Sequence, residues 1–427
     1  MTRTGTFRGG VPIGSLMYGA WDGEVYTVSQ SGTATLFSTL AGTDYPSFGR
    51  NGRSPTADIA VVTGNGAFVI DTTAAQVSNY PDADVSGPGT PQCCCGYLGF
   101  IFFGYNDGTL QVTKYNSTSI NSLDQALTIT NYDGIKALFG WQGQLYAMGP
   151  KTVEVWGEPI NPTGFPLTRA GFNITPGILG KHSYAGWEQE WGYPPIYVGS
   201  DGTVRQLQGY QAVKVSNTDV DRDLRDINFS DRDNVNCLVY NTGGNAFWQM
   251  NLPTKSWVYH VQEGTWHERQ SQGLAKSRLA NSLFFADRWL VGDTQTTSVY
   301  EMDQGTATEG GAEITATMES GPLKEFPYRQ RIVRADFDFT VGVSLTTGTA
   351  PVQTDPEVLI EASYDGGHTW PSSWNRKLGK ESKYSRRVYV NNVGLTGDEG
   401  VRFRWSISNP VHVGFQGGDV STSVISK

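Results

Sequence analysis

Ser363, Asp365, Gly367 and Thr369 stand at alternate positions, and Trp370 closes the run Ser363-Tyr364-Asp365-Gly366-Gly367-His368-Thr369-Trp370. This is an Asp-box. Its aspartate folds back on the amides of a hairpin turn, and its indole packs beneath. The motif recurs in β-propellers and β-sandwiches, many of which process glycans. Hydrolysis of a sialic-acid glycoside is therefore the first chemistry to weigh. It needs an arginine cluster for the substrate carboxylate, a Tyr–Glu nucleophile pair and an aspartic acid. Arginines are present, but none holds a repeated position that would converge on a propeller axis. Enzymes of that kind carry several Asp-boxes; here there is one, and Asp201-Gly202-Thr203 echoes it without the aromatic end.

Other constellations are weaker still. There is no GxSxG elbow, P-loop, GxGxxG or HExxH. The five histidines are scattered, and His260 and His267 sit on either side of a loop, read as ordinary histidines rather than a metal pair. Cys93, Cys94 and Cys95 are consecutive, which suits neither a disulfide framework nor a metal knuckle; with Cys237 they read as small buried thiols beside a strand. Asp219–Asp233 lacks the glycine of a calcium loop and fits two helical turns around Val220, Leu224 and Ile227, capped by Thr218 or Asp219. Trp187-Glu188-Gln189-Glu190-Trp191 offers aromatic faces to a sugar, or simply two packed indoles. The expectation is no catalytic residue, no cofactor and no metal.

The composition points to strands. Glycine is high at 52 residues, aromatic and β-branched residues are abundant, and 427 residues suffice for two or three cores. A net charge of −9 argues against a groove that grips nucleic acid, though not against a surface that DNA slides past. The N-terminal residues carry no apolar signal segment, and no run is long and apolar enough to span a membrane, so membrane insertion is not expected.

The elements emerge from the turns. Asp22-Gly23, Asn65-Gly66, Asp107-Gly108, Gln142-Gly143, Asp201-Gly202, Gly243-Gly244 and Asp287-Arg288 each separate two apolar runs. Successive turns lie about 35 to 59 residues apart, mostly near 42, the length of one propeller blade. This predicts an all-β chain: a β-propeller over 1–305, seven blades favoured over six, then a β-sandwich domain over 306–427 that carries the Asp-box. Thr306–Gly311 reads as the linker. Before the third sandwich strand, expected at Ser385–Val390, Arg376, Lys377, Lys380, Lys383, Arg386 and Arg387 are opposed only by Glu381. That run is either a solvated loop or a contact with an acidic neighbouring subunit.

Between Asn245 and Arg269 the sequence reads Asn-Ala-Phe-Trp-Gln-Met-Asn-Leu-Pro-Thr-Lys-Ser-Trp-Val-Tyr-His-Val, and then Gly264-Thr265-Trp266-His267-Glu268-Arg269. Trp289–Asp293, Val299–Asp303, the Asp-box, Leu378-Gly379, Tyr384, Arg386-Arg387-Val388 and Phe403–Pro410 follow in order. Over about residues 195–420 this series resembles the packaged-DNA stabilisation proteins of short-tailed phages, also called tail hub or nozzle proteins. The resemblance implies a structural virion protein of the tail rather than an enzyme. It implies a self-assembled ring, a homohexamer, below the portal adaptor or head-to-tail connector. A tail needle or plug would close the channel, and tailspikes or fibres would attach at the rim. Packaged DNA would pass through without sequence-specific binding and be held until genome ejection. Assembly would take place in the host cytoplasm. The alternatives are a carbohydrate-binding propeller or adhesin, and a sialidase-like glycan-acting enzyme.

Overall fold

The computed structural model describes residues 5–128, 133–158, 161, 164–303, 306, 308–342 and 354–425. The chain divides into two compact units, 1–303 and 304–427. The boundary expected after residue 305 and part of the expected linker, residue 307, lie outside the described residues.

In the first unit, seven antiparallel sheets follow one another along the chain, six of four strands and one of three among the described residues. Each is a meander in which consecutive strands pair. Their first strands are β1 (Phe7–Ile13), β2 (Ser47–Arg50), β3 (Cys93–Tyr97), β4 (Ala137–Trp141), β5 (Tyr184–Ala185), β6 (Asn236–Thr242) and β7 (Leu279–Phe285). These are the innermost strands: β2 lies beside β1 and β3, β3 beside β4, β6 beside β5 and β7, and β7 beside β1. The unit is a β-propeller.

The propeller explains why the sequence reads as apolar runs rather than clean alternation. Each sheet packs against a neighbour on both faces, so both side-chain sets of a middle strand are buried, as throughout Ile59–Thr63 and Ser256–His260. The core is accordingly distributed between sheets. One cluster joins Tyr18 and Val25 of the first sheet to Ile59 and Phe68 of the second. Another joins Phe7 and Trp21 to Leu283 and Phe285 of the seventh. The cysteine triplet follows the same rule within β3: Cys93 and Cys95 pack with Leu138 and Leu145 of the fourth sheet, and Cys94 with Ala60 and Val69 of the second. All four cysteines are buried free thiols.

The tight turns sit in hairpins, but not always the same one. In the first, second, third and fifth sheets the turn joins the second and third strands; in the fourth, sixth and seventh it joins the first and second. The short and long spacings on either side of Gln142-Gly143 arise from that change. The seventh turn is Ala286-Asp287, both at positive φ (53° and 60°), one residue earlier than the sequence pattern places it. The charged segment forms α1 (Thr218–Arg225), capped by Asn217, whose side chain accepts from Val220 N at 2.9 Å. That cap is one residue earlier than expected, because Asn217 is extended and its side-chain oxygen reaches the Val220 amide, one of the free donors of the first turn. Phe229–Asn234 continues as a 3-10 turn.

The second unit contains β8 (Ala316–Glu319), β9 (Arg329–Phe339), β10 (Glu357–Ser363), β11 (Ser372–Lys377), β12 (Val388–Leu395), β13 (Arg402–Ile407) and β14 (Phe415–Ile425). They form two sheets, ordered β8-β13-β10-β11 and β12-β9-β14. Ile332 and Phe337 of β9, Val358 and Ile360 of β10, Val388 and Val390 of β12, and Phe403 and Trp405 of β13 share one core. Burial alternates along β10 and β13, as a sheet with one dry face requires. β12 begins at Val388 rather than Ser385, which leaves Ser385, Arg386 and Arg387 exposed.

Candidate functional site

The seven innermost strands enclose an axial cavity of about 260 Å³, and every one of them contributes to its wall. Arg8 and Arg50 line it together with Lys136, Lys181 and Glu188. Arginines therefore do converge on the axis, contrary to the sequence expectation. Arg8 is the second residue of β1 and Arg50 the last of β2, so no repeated spacing marks them. Lys136 directly precedes β4, and Lys181 precedes β5 by three residues; the sequence signal was a lysine just ahead of an apolar first strand.

The ends of these side chains are differently satisfied. Arg8 donates to the carbonyls of Trp21 (3.1 Å) and Asp44 and lies 3.6 Å from the Asp22 carboxylate. Burial lowers its pKa, while Asp22 and Asp44 oppose that shift. The Lys136 ammonium donates to Asp233 at 3.1 Å, and Asp233 also accepts from the Lys181 amide at 3.1 Å. Burial disfavours the Asp233 anion, but Lys136 and Lys181 outweigh it and hold the carboxyl below its usual range. Burial, assisted by Lys181, pushes His182 down to about 4, so it is neutral near pH 7. Its ring meets Tyr45 edge-on at 5.6 Å. Burial pushes the Glu188 carboxyl up to about 7, although the Gly186 amide donates to it at 2.6 Å.

The same wall holds a tyrosine and a glutamate, Tyr184 and Glu188, beside the arginines. Tyr184 is committed elsewhere: its hydroxyl donates to Leu138 O at 3.3 Å and its ring stacks on Phe139 at 5.3 Å. Burial raises its pKa, which disfavours the phenolate a nucleophile would use. Trp187 lines the cavity with 43% of its surface exposed, whereas Trp191 is buried, so the two indoles do not form one platform. His260 and His267 lie on paired strands, and His260 Nδ1 accepts from Glu263 N at 3.1 Å. Among the described residues, no group of three or more His, Cys, Asp or Glu could hold a metal ion.

In the second unit, the Asp-box is the turn between β10 and β11. Asp365 accepts from Thr369 N (2.9 Å), Thr369 Oγ1 (2.6 Å) and Ser363 Oγ (2.7 Å); Ser363 Oγ accepts from Gly367 N at 2.9 Å. The bonds from Thr369 and Ser363 hold the Asp365 carboxyl far below its usual range. Gly366 and Gly367 supply the positive φ angles, 78° and 99°. Ser363 is buried, but Thr369 is exposed and Trp370 only half-buried. Trp370 lies outside the apolar core, with the Arg404 guanidinium 4.2 Å from its ring. Arg404 in turn donates to Glu361 at 2.7 Å, so the indole is fastened through a charge pair on β13 and β10.

The basic run is divided. Arg376 Nε donates to Tyr389 O (2.8 Å), Lys377 pairs with Asp355 (2.6 Å) and Arg386 Nε donates to Lys377 O (3.2 Å). Lys380, Lys383 and Arg387 are exposed with no carboxylate at ion-pair distance among the described residues.

The phage stabilisation family described as "Bacteriophage P22 Gp10, beta-propeller" matches residues 1–307. The chain belongs to this family. Membership makes it a phage structural protein, of a kind that stabilises packaged DNA, and a virion component. The match covers the propeller from its start, including the half where the sequence offered only the turn cadence; the motifs at 363–410 lie beyond it. No curated protein matches the chain. Solved structures resemble it only distantly. The WD40 β-propeller domain of Doa1 is 10% identical with a TM-score of 0.41, covering 69% of this chain and 92% of that one. BamB from Moraxella catarrhalis is 13% identical with a TM-score of 0.39, covering 67% and 80%. A chain of the mitotic checkpoint complex is 11% identical with a TM-score of 0.44, covering 68% and 84%. No helix among the described residues is long and apolar enough to cross a membrane.

Proposed function

We propose that this protein forms a ring, of six copies by resemblance, that acts as the hub or nozzle of a short phage tail. It sits below the portal adaptor, extends the DNA channel, and helps retain the packaged genome until ejection. A needle or plug closes the channel, and tailspikes or fibres attach around it. Assembly takes place in the host cytoplasm, and the protein is structural, without catalytic turnover. The observation that carries this reading is the family match across the whole propeller unit.

Physical arguments support a ring rather than a bead threaded on DNA. An axial cavity of about 260 Å³ holds a small molecule. It cannot pass a duplex whose major groove alone is about 12 Å wide, so a DNA path requires space between copies. Residues 1–303 contain 27 acidic and 19 basic residues, against 14 and 13 in 304–427. An acidic propeller wall repels the polyanion and keeps it mobile. Asp84 and Asp124 lie by the exposed Leu123 (84%) and Leu127 on Ile120–Leu127, the outer edge of the third sheet. That acidic and apolar edge suits Lys380, Lys383, Arg387 and the exposed Tyr384 of a neighbouring copy, a head-to-tail contact that closes into a ring.

The test is assembly of phage lacking this protein. Heads that package DNA and then leak it are expected; heads that retain their DNA would remove the stabilising role. Charge reversal at Lys380 and Lys383 should disrupt the ring, and reversal at Asp84 and Asp124 in the same chain should restore it.

A further inference from the structure

The axial cavity has no part in the ring contact or the DNA path, yet it is unlike the rest of its unit. The propeller is acidic, but its cavity is lined by four cationic side chains and a single carboxyl, Glu188. Burial raises the pKa of that carboxyl, so its negative charge is incomplete near pH 7. Carboxylates behind the wall answer two of the cations: Asp22 faces Arg8, and Asp233 binds Lys136. Asp44 accepts from Arg8 through its carbonyl, and its carboxylate, which accepts from Gly64 N at 2.7 Å, acts on Arg8 through space without pairing with it. The Lys181 ammonium and the Arg50 guanidinium have no carboxylate at ion-pair distance among the described residues; Arg50 donates only to Pro12 O at 3.0 Å. His182 beside Lys181 stays neutral. The wall also holds a buried donor without a hydrogen-bond partner, Asn281 Nδ2, while Arg8 Nε has only the Asp22 carboxylate at 3.6 Å.

Surplus positive charge in a concave, partly dehydrated space draws a counter-ion far more strongly than the same charge on an open surface. Unpaired N–H donors select an oxygen acceptor. A space of about 260 Å³ exceeds a bare oxyanion and admits an attached group of several heavy atoms, with Trp187 as an aromatic surface. We propose that the propeller axis is a binding site for a small oxyanion, inorganic phosphate or the phosphate of a small monoester, with charge supplied by Arg50 and by Lys181, which feels Asp233 without pairing with it.

Calorimetric titration of the full chain in low-salt, phosphate-free buffer tests this, with inorganic phosphate, glucose 6-phosphate and glucose as probes. Saturable one-site binding of either anion, and none of glucose, is expected. Tighter binding of the hexose phosphate would identify a monoester as the ligand; equal or tighter binding of phosphate would identify the free anion. Lys181→Met should weaken binding at least tenfold and Arg50→Met at least threefold, while Lys114→Ala, at an exposed propeller lysine outside the cavity lining, should bind as wild type. If Lys181→Met does not fold, the exposed Arg50→Met decides alone. No binding of either anion, glucose binding equal to the hexose phosphate, or wild-type affinity in the folded variants would overturn the proposal.

Discussion

The two units reach a β fold by different economies of burial. In the propeller every sheet is covered on both faces by its neighbours, so the core is a series of shared interfaces and the innermost strands touch backbone to backbone. A Cβ on Gly96 in β3 would fall on the carbonyl oxygen of Arg50 in β2. In the C-terminal unit two sheets share one core, strands alternate between dry and wet faces, and large side chains such as Phe326, Tyr328 and Tyr384 remain exposed. The propeller thus pairs strands that are neighbours in sequence and joins its sheets through close-packed interfaces that tolerate little change. The second unit is tied by pairings distant in sequence, β8 with β13 and β9 with β14, while its Asp-box closes one local hairpin.

The largest effect that separates them is steric. Gly96→Ala forces β2 and β3 apart, and close-packed backbone cannot yield as a flexible side chain does. The first unit should lose its cooperative thermal transition while the second keeps its own; a normal first transition would show that the innermost strands are not so tightly joined. Next come core truncations. Phe102→Ala should cost about 3–5 kcal/mol in the first transition, and Phe403→Ala a similar amount in the second. If either shifts both transitions equally in denaturant melts, the units unfold as one and the contrast fails.

A buried ion pair has a comparable cost and a pH signature. Asp293 is fully buried and bound by Arg278 through bonds of 2.6 and 2.8 Å. Arg278→Ala should cost roughly 3 kcal/mol at neutral pH by leaving that carboxylate uncompensated. Burial opposes the Asp293 anion, but bonds from Arg278, Thr296 and Gln295 N hold its pKa below 3.8. The pair's stabilisation is therefore present above about pH 4 and fades as pH falls through the lowered pKa, so the gap between wild type and variant should narrow in acid.

Glu188 works in the opposite sense. Burial raises its pKa from 4.5 to about 7, so the stabilisation from its protonated form is full below about 4.5 and lost as pH rises towards 7. Glu188→Gln should flatten that part of the stability–pH curve and stabilise the propeller at pH 8 by at most about 3 kcal/mol. An unchanged slope would show that the carboxyl is well solvated. The smallest effect is expected at the Asp-box. Asp365→Ala should lower only the second transition, and less than Phe403→Ala does, because Thr369 is exposed and its freed amide can bind water. Unchanged melting would leave the motif without a folding role.

These contrasts also explain what could be read beforehand. Turn residues at positive φ and apolar runs carry local information, so Asp22-Gly23 or Gly243-Gly244 marked hairpins directly. Alternation in Phe403, Trp405 and Ile407 identified a one-sided sheet. The axial site was not legible, because Arg8, Arg50, Lys136 and Lys181 meet only when seven first strands close a ring, and they occupy different strand positions. The environment of Trp370 was hidden for a similar reason. Its partner Arg404 lies on a strand paired to β10, and the indole is held by a cation rather than by the core.

The central claim is that copies of this chain surround the DNA rather than thread it. Imaging the assembled tail at side-chain resolution tests it most directly. The account predicts a ring joined to the portal adaptor, a DNA-wide channel between copies, and each propeller axis closed by its own side chains. A single copy, copies that never meet the adaptor, or DNA running through a propeller axis would contradict it.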